Sequence, residues 1–390
     1  VRVTIVSRIY RPEPAAASFF LGSVADALLA EGHSVDVLTA RPPAGSGSAS
    51  HGERVRTFPV LRDRDGYVRG YLPYLSFDIP LAFRLLLTRR PDVVLVQPPP
   101  TTGVVVRIVC ALRRIPYVYD AADVWSDAAH MATSSTIVVR VLRALERFAM
   151  RGAAHLVTIS QGVVDRVRDL GVSRPMTVTG FGADTTAFTV TEAETVPVFL
   201  YAGSYSTWHG AEVLIDAFAR FVRTRDGYTL RFIGHGTERP ALEERAHELG
   251  IGGMVEFLDP VPPQQLAPPL SSAVASLATL RPGTGYEYAF TSKAFSSLAA
   301  GCPVIFAGPG PTATFLETAN ADVRAGVAVP YDADAIAAAM TELAAEPLAM
   351  PQRAALGAWT AAHHSIAAVA RRVASVIHGV GASAPGRPRR

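Results

Sequence analysis

Lysine is almost missing from this chain of 390 residues. Of its 37 Lys+Arg positions, Lys293 alone is lysine. Arginine codons are GC-rich and lysine codons are not, so the bias reads as genomic. A lysine retained against it is either a chance survivor on the surface or marks a place where a compact ammonium is preferred to a planar guanidinium. Cysteine is nearly as scarce. Cys110 and Cys302 lie in apolar surroundings without metal-ligand spacing, which excludes a disulfide framework and fits a reducing compartment. Charged residues make up 18% against 49% hydrophobic, so extended disorder is excluded except in the Pro-, Gly- and Arg-rich tail 381–390. Arginines interrupt every apolar run before it reaches membrane-spanning length. The opening Val1–Ser7 reads as a strand rather than a signal peptide, and a cytoplasmic protein is expected. No His/Asp/Glu cluster has ligand spacing, so no metal is expected, nor any cofactor or nucleic-acid partner. A dinucleotide fingerprint is also absent: after the first strand, no glycine occurs before Gly22.

What the chain does have is alternation. Short β-rich runs alternate with longer helical patterns, the mark of parallel α/β domains, and the length suits two of them. Strands are predicted at Val3–Ser7, Val35–Leu38, Val93–Gln97, Tyr117–Tyr119, Leu156–Ile159 and Met176–Thr179. A second series follows at Val198–Ala202, Leu230–Ile233, Val255–Leu258, Val274–Leu277, Val304–Phe306 and Val327–Val329. The first helix should bury Phe20, Val24, Ala27 and Leu28 and stop at Gly32. Helices are also expected around 211–224, 239–249 and 293–300, with a long terminal one from Ala354 to His378. The resulting division is an N-terminal domain over 1–182, a C-terminal domain over 183–355, a helix over 356–380 that returns to the first domain, and the tail. Ligands of such sheets bind at the carboxyl ends of the strands, here in a cleft between the domains.

Charge divides unevenly. Residues 1–180 hold 22 arginines against 15 acids, and residues 181–390 hold 15 Lys+Arg against 19 acids, giving +7 and −4. Lys293 lies two residues after Thr291 at the start of a predicted helix, where free N–H groups and the positive dipole end attract anions. The segment from Tyr201 through Gly203, Ser204 and His209 likewise joins a strand to a helix and permits backbone donation to phosphate. His209 there either adds a hydrogen bond or merely stacks beside Trp208. Gly234-His235-Gly236 is a second strand-to-loop turn.

Several segments, in order and at matching spacing, resemble the retaining GT-B glycosyltransferases of family 4 (group 1). They are Ala30-Glu31-Gly32-His33-Ser34-Val35, Leu156-Val157-Thr158-Ile159-Ser160, the run Gly180-Phe181-Gly182-Ala183-Asp184 ending at Phe188, and Ala299-Ala300-Gly301-Cys302-Pro303-Val304-Ile305. The resemblance covers nearly the whole chain. It implies two Rossmann-like domains, a nucleotide-diphospho-sugar donor in the second, an acceptor hydroxyl in the first, and metal-independent transfer with retained configuration. Three acceptors are compatible with it: a saccharide, a lipid-linked saccharide or a small natural product.

Several family positions are unmatched. The two glutamates of the family's E-x7-E motif fall at Tyr288 and Ser296, with Glu287 one residue away, and its Arg/Lys pair falls near Ser204 and His209. Phe290 matches the aromatic of the family's "GFG" segment, and Thr291-Ser292-Lys293 resembles a "P-[ST]-K" branch. Helix-start and strand-to-loop positions, taken together with the resemblance, make Gly203, Ser204, His209, Gly234, Leu258, Phe290, Thr291, Ser292, Lys293 and Ser296 the donor-side candidates, with Glu287 and Lys293 as catalytic candidates. Tyr119-Asp120-Ala121-Ala122-Asp123-Val124-Trp125 is similar to a "D-x-x-D-x-W" segment. Asp123 is therefore catalytic or acceptor-binding together with Trp125, unless Asp120 or Asp123 only caps the next helix. Glu13 either binds acceptor or is a solvated loop acid. Two rival readings are an epimerase-like protein and a nucleotide-sugar binder without transferase activity. Apolar residues alternate with arginines over 69–90 and 104–114, which suits either peripheral contact with the inner membrane face or ordinary core helices with solvated ends.

Overall fold

Alternating strands and helices build two parallel sheets in this computed structural model, which describes residues 1–13, 16–43, 51–63, 68, 70–127 and 135–383. Of the tail expected over 381–390, residues 384–390 lie outside the described residues, and Gly381 and Ala382 end the last helix. The chain divides into two compact units, Val1–Gly180 with Val369–Arg390, and Phe181–Ala368.

The first unit contains seven parallel strands in the order β3-β2-β1-β4-β5-β6-β7. They are β1 (Arg2–Val6), β2 (Ser34–Ala40), β3 (Arg54–Phe58), β4 (Val93–Val96), β5 (Tyr117–Ala121), β6 (His155–Thr158) and β7 (Met176–Val178). Central strands covered on both faces must be apolar throughout, and the residues of β4 are all buried. In register, Val3 of β1 pairs with Val35 on one side and Val93 on the other. The helix Ala16–Ala30 buries Leu21, Val24, Ala25 and Leu28. Phe20 and Ala27, expected inside, are only half-buried, so the face is rotated by about one residue. Ala370, Val373, Ala374 and Ile377 of the helix Ile366–Ala382 join the same core.

The second unit contains six parallel strands in the order β10-β9-β8-β11-β12-β13. They are β8 (Val196–Ala202), β9 (Thr229–Ile233), β10 (Val255–Leu258), β11 (Ala273–Thr279), β12 (Val304–Ala307) and β13 (Gly326–Val329). The topological switch lies between β8 and β11, because connections leave these two strands in opposite directions. Two Rossmann-like domains are therefore present. Where one helix is expected from Ala354 to His378, there are two, Met350–His364 and Ile366–Ala382. Ser365 between them is extended, and its side chain accepts from Ala368 N–H.

Arg353 ties the second unit together from the inside. It is 1% exposed, and among the described residues no carboxylate pairs with it. Its guanidinium donates to the carbonyls of Leu348 at 3.1 Å, Gly301 at 3.4 Å and Ala273 at 2.8 Å, and to Thr195 Oγ1 at 3.2 Å. Arg353→Met should strand these acceptors. A buried polar group without its partner costs about 1–3 kcal/mol, so a loss of about 3 kcal/mol is expected. That corresponds to a fall in Tm of roughly 6–12 °C in a unit of this size. Thermal unfolding checks it, and Arg353→Lys, which keeps charge but not the fork, should recover only part.

Candidate functional site

At the switch of the second sheet, loops from four strands converge, and glycines let them touch. After β8, Gly203 (φ +127°) donates its N–H to Ile233 O at 2.9 Å. After β9, Gly234 (φ +154°) leaves so little room that a Cβ there would sit 2.0 Å from Gly203 O. Only glycine permits that approach. Gly234 N–H in turn reaches Leu258 O at 3.0 Å, which brings the end of β10 beside the same turn. Tyr201 donates its hydroxyl to Ser204 O at 2.9 Å, and Tyr205 donates to Gly234 O at 2.6 Å, fixing the loop that Ser204 exposes. The loop following β11 is pinned to this one by Arg281 N–H donating to Trp208 O at 2.9 Å.

Lys293 sits on the helix Ser292–Ala299 that follows β11, and it points across the switch. Its Nζ lies 4.7 Å from the centre of the Tyr201 ring, and its Cε would be 3.3 Å from a Cβ at Gly203. Among the described residues no carboxylate pairs with it. Burial alone pulls the ammonium down to about 7. Part of the side chain still reaches solvent, so the group is recessed rather than sealed. The ring face offsets some of the lost hydration. An uncompensated cation at the carboxyl ends of a parallel sheet is a candidate anion site.

His209 completes this side. Its Nδ1 accepts from Ser206 N–H at 3.4 Å, and its ring lies 5.6 Å from that of Trp208. Burial first, and the Lys293 charge second, lower its pKa to about 3, so the ring is neutral. With Nδ1 accepting, the proton resides on Nε2, leaving one N–H donor to offer. Thr291 N–H, expected to face the anion, is instead taken by Thr312 Oγ1 at 3.0 Å. The N–H groups of Ser292 and Lys293 have no acceptor among the described residues.

The remaining donor-side candidates separate into two groups. Ser296 lies one turn after Lys293 on the same helix and is half-buried. Phe290 packs edge-on against Phe295 and Phe315, with centroids 5.3 and 6.1 Å away, and so belongs to an apolar cluster. Glu287 spends Oε1 on its own loop, accepting from Thr284 N–H at 2.9 Å and Gly285 N–H at 3.2 Å. Burial pulls its pKa up, but the surrounding backbone N–H groups outweigh that and hold it below the usual carboxylate range.

In the first unit, a polar row lies at the carboxyl ends of β1, β4 and β5. Ser7 Oγ donates to Gln97 Oε1 at 2.9 Å, and Gln97 Nε2 approaches Asp120 Oδ2 at 3.5 Å. Asp120 is buried, and burial with a contribution from the Asp123 charge lifts it to about 7. It lies within β5, so it caps no helix. Glu146 does that work instead, accepting from Trp125 N–H at 2.7 Å and Ser126 N–H at 3.1 Å. Asp123 is half-buried beside this row, and the Trp125 ring lies 5.7 Å from the Arg8 guanidinium carbon. Glu13 is neither free nor solvated. It is buried and gripped by Arg62 through two contacts of 3.1 Å. Among the described residues no group of three metal-ligating side chains occurs.

Sequence reasoning missed Tyr201, whose ring carries Lys293, and the Ser7–Gln97–Asp120 row. The position of Tyr201 two residues before Gly203 was the available signal. Nothing in the spacing of Ser7 and Gln97, 90 residues apart, indicates that they meet.

Two family models match the chain: Glycosyl transferase 4-like domain over residues 17–182, and Glycosyl transferases group 1 over residues 196–346. Among curated proteins, the D-inositol 3-phosphate glycosyltransferase of Nocardia farcinica is 34% identical over 125 residues, 30% of this chain. That stretch spans 27% of the relative's own length. Sucrose-phosphate synthase from Thermosynechococcus elongatus has the same fold, with a TM-score of 0.70 at 18% identity, covering 98% of this chain and 99% of that one. So does Anabaena HepE, solved in complex with UDP, with a TM-score of 0.68 at 17% identity and coverage of 97% and 99%.

The recessed lysine has a thermodynamic signature. Its folded pKa of about 7 lies below the ordinary lysine value of about 10.4. Between those values the folded form holds fewer protons than the unfolded one, so stability rises with pH across that window. Below it, the cost of burying the charge is fully present. Lys293→Met should therefore flatten the rise in Tm between about pH 7 and about pH 9 and raise the ligand-free Tm near pH 6 by roughly 2 °C or more. Superimposable wild-type and variant profiles would contradict this.

Proposed function

The chain belongs to the group 1, family-4 type glycosyltransferases, and from that membership we propose that it moves a sugar from a nucleotide-diphospho-sugar to an acceptor hydroxyl. The observation that supports this most is the unpaired Lys293 ammonium at the switch of the second sheet, beside the neutral His209 donor. As the bond from the sugar to the diphosphate breaks, negative charge builds on the β-phosphate. Lys293, His209 Nε2–H and the first-turn N–H groups of Ser292 and Lys293 are donors fixed in advance for that charge. The leaving phosphate needs no metal where such donors neutralise it.

In this reading the configuration is retained. The acceptor oxygen attacks from the face the phosphate leaves, and the departing phosphate oxygen takes its proton, so no separate base is required. The acceptor hydroxyl is held in the first unit by Asp120 and Asp123, with Gln97 and Ser7 behind them. Asp120, near its pKa at neutral pH, can donate or accept a hydrogen bond. Since the Anabaena neighbour was solved with UDP, uridine diphosphate sugars are the first donors to assay. A second reading, binding without transfer, draws on the missing glutamates at Tyr288 and Ser296 and on Glu287 being committed to its loop. Release of nucleotide from a sugar donor, by transfer or by slow hydrolysis, separates the two, because a pure binder releases none.

Lys293→Ala should remove a charge-assisted contact worth ~1.5–3 kcal/mol, weakening uridine diphosphate roughly 10- to 100-fold and slowing turnover at least as much. Lys293→Arg should also be impaired, because a planar fork does not fit a recess shaped for a point charge. Titration calorimetry with the free diphosphate checks both. Wild-type affinity in the two variants would remove Lys293 from the donor site.

A further inference from the structure

One surface of the first unit is unlike the rest of the molecule. The helices Tyr71–Leu87, Pro100–Arg113 and Thr136–Gly152 follow β3, β4 and β5 and pack side by side in one layer. Gly103 of the second approaches Ala149 of the third so closely that a Cβ there would sit 2.8 Å from the alanine Cβ. Each helix buries one face, through Phe77, Leu81 and Leu85, through Val106 and Val109, and through Val139 and Ala149. The outer faces should then be polar. They are not.

On the first helix, Leu72, Leu75, Ile79, Phe83 and Leu86 recur at helical spacing along the exposed side, Leu72 at 68% and Phe83 at 63% exposure. Ile108 and Leu112 continue this on the second helix, with Leu112 at 71%. Ile137, Val141 and Phe148 do so on the third. Of the eighteen exposed large apolar side chains among the described residues, eleven lie on these three helices. A cluster of this extent marks an interaction surface rather than scattered exposure.

Charge identifies the partner. The three helices and their flanks carry Arg84, Arg89, Arg90, Arg107, Arg113 and Arg114, and the third helix adds Arg140, Arg143, Arg147 and Arg151. The only carboxylates within the three helices, Asp78 and Glu146, are buried and occupied by Thr102 Oγ1 and by the Trp125 and Ser126 N–H groups. In the flanks, Asp92 accepts from Arg2 N–H, and Asp127 lies 3.8 Å from Arg143, which is therefore paired. The outer layer is thus apolar and cationic with no exposed acid on the helices themselves. The Arg107 guanidinium lies 3.8 Å from the Phe148 ring centre, so charge and apolar surface are interleaved rather than segregated. A protein partner would need both a large apolar patch and a dense acidic rim, and an anionic phospholipid leaflet supplies both over any area. Among the described residues no helix is long and apolar enough to cross a membrane. We propose that this three-helix layer of the first unit docks peripherally on an anionic phospholipid surface, apolar side chains in the acyl boundary and arginines at the headgroups. That makes a lipid-linked acceptor the one to test first.

Sedimentation of the full chain with vesicles decides the matter. Phosphatidylcholine vesicles containing phosphatidylglycerol should carry the protein down at low salt, and less of it at physiological salt. Phosphatidylcholine alone should leave it in the supernatant. The combined Leu72→Ser, Ile79→Ser and Phe83→Ser variant, and separately the Arg89→Ser, Arg90→Ser, Arg113→Ser and Arg114→Ser variant, should each cut the bound fraction roughly tenfold. All substituted side chains but Arg113 are well exposed, so unfolding is not the expected cause of lost binding. Equal melting temperatures and equal diphosphate affinity in the variants would confirm that the fold survives. Absence of binding to anionic vesicles, equal binding to neutral ones, or binding unaffected by either variant would overturn the proposal. So would light scattering that finds a stable dimer which the apolar variant dissociates, since a second copy would then be the occupant.

Discussion

The candidate site of the second unit is built around one recessed amine that no carboxylate among the described residues compensates. An ammonium is ordinarily kept hydrated or paired with a carboxylate, since desolvating an isolated ion is among the most costly changes a fold can make. Lys293 has neither remedy. It rests on the Tyr201 ring and stands beside a histidine that its own charge helps keep neutral. Such an arrangement is unfavourable on its own, and the proposed donor diphosphate would relieve it.

Arg353 shows the contrast within the same unit. It too is buried with no carboxylate partner among the described residues, but carbonyl oxygens and a hydroxyl surround its guanidinium, so its requirements are met internally. Glu13 and Glu146 are likewise satisfied, by Arg62 and by backbone N–H groups. Lys293, and in the first unit Asp120, both have their pKa moved to about 7, chiefly by burial. Both lie at the carboxyl ends of parallel strands, where this architecture exposes backbone and side chains to ligands.

Much of the fold was legible because alternation in the sequence is strong. Strands such as Val93–Val96 and Val304–Ala307 are unbroken apolar runs, and buried parallel strands must be. β3 was not legible. Arg54-Val55-Arg56-Thr57-Phe58 lies at the sheet edge, where one side is solvated and charges are tolerated, so it has no apolar run to detect. The break at Ser365 was missed because no proline or glycine marks it. For the site, Lys293 stood out through rarity and helix position, and His209 through its place after a strand. The roles of Glu287 and Glu13 could not be read, since what occupies a carboxylate depends on backbone N–H groups and an arginine brought there by folding. The Ser7–Gln97–Asp120 row was hidden for the same reason.

The central claim is that Lys293 binds the donor diphosphate in its charged form although the ligand-free protein holds it largely uncharged above about pH 7. Anion binding must then draw a proton from solution. Calorimetric titration of uridine diphosphate at about pH 8, in two buffers of different ionisation enthalpy, measures that proton directly. The account predicts uptake close to one proton per diphosphate bound by the wild-type chain and none by Lys293→Met. Tight binding by the wild type with no proton uptake would contradict it.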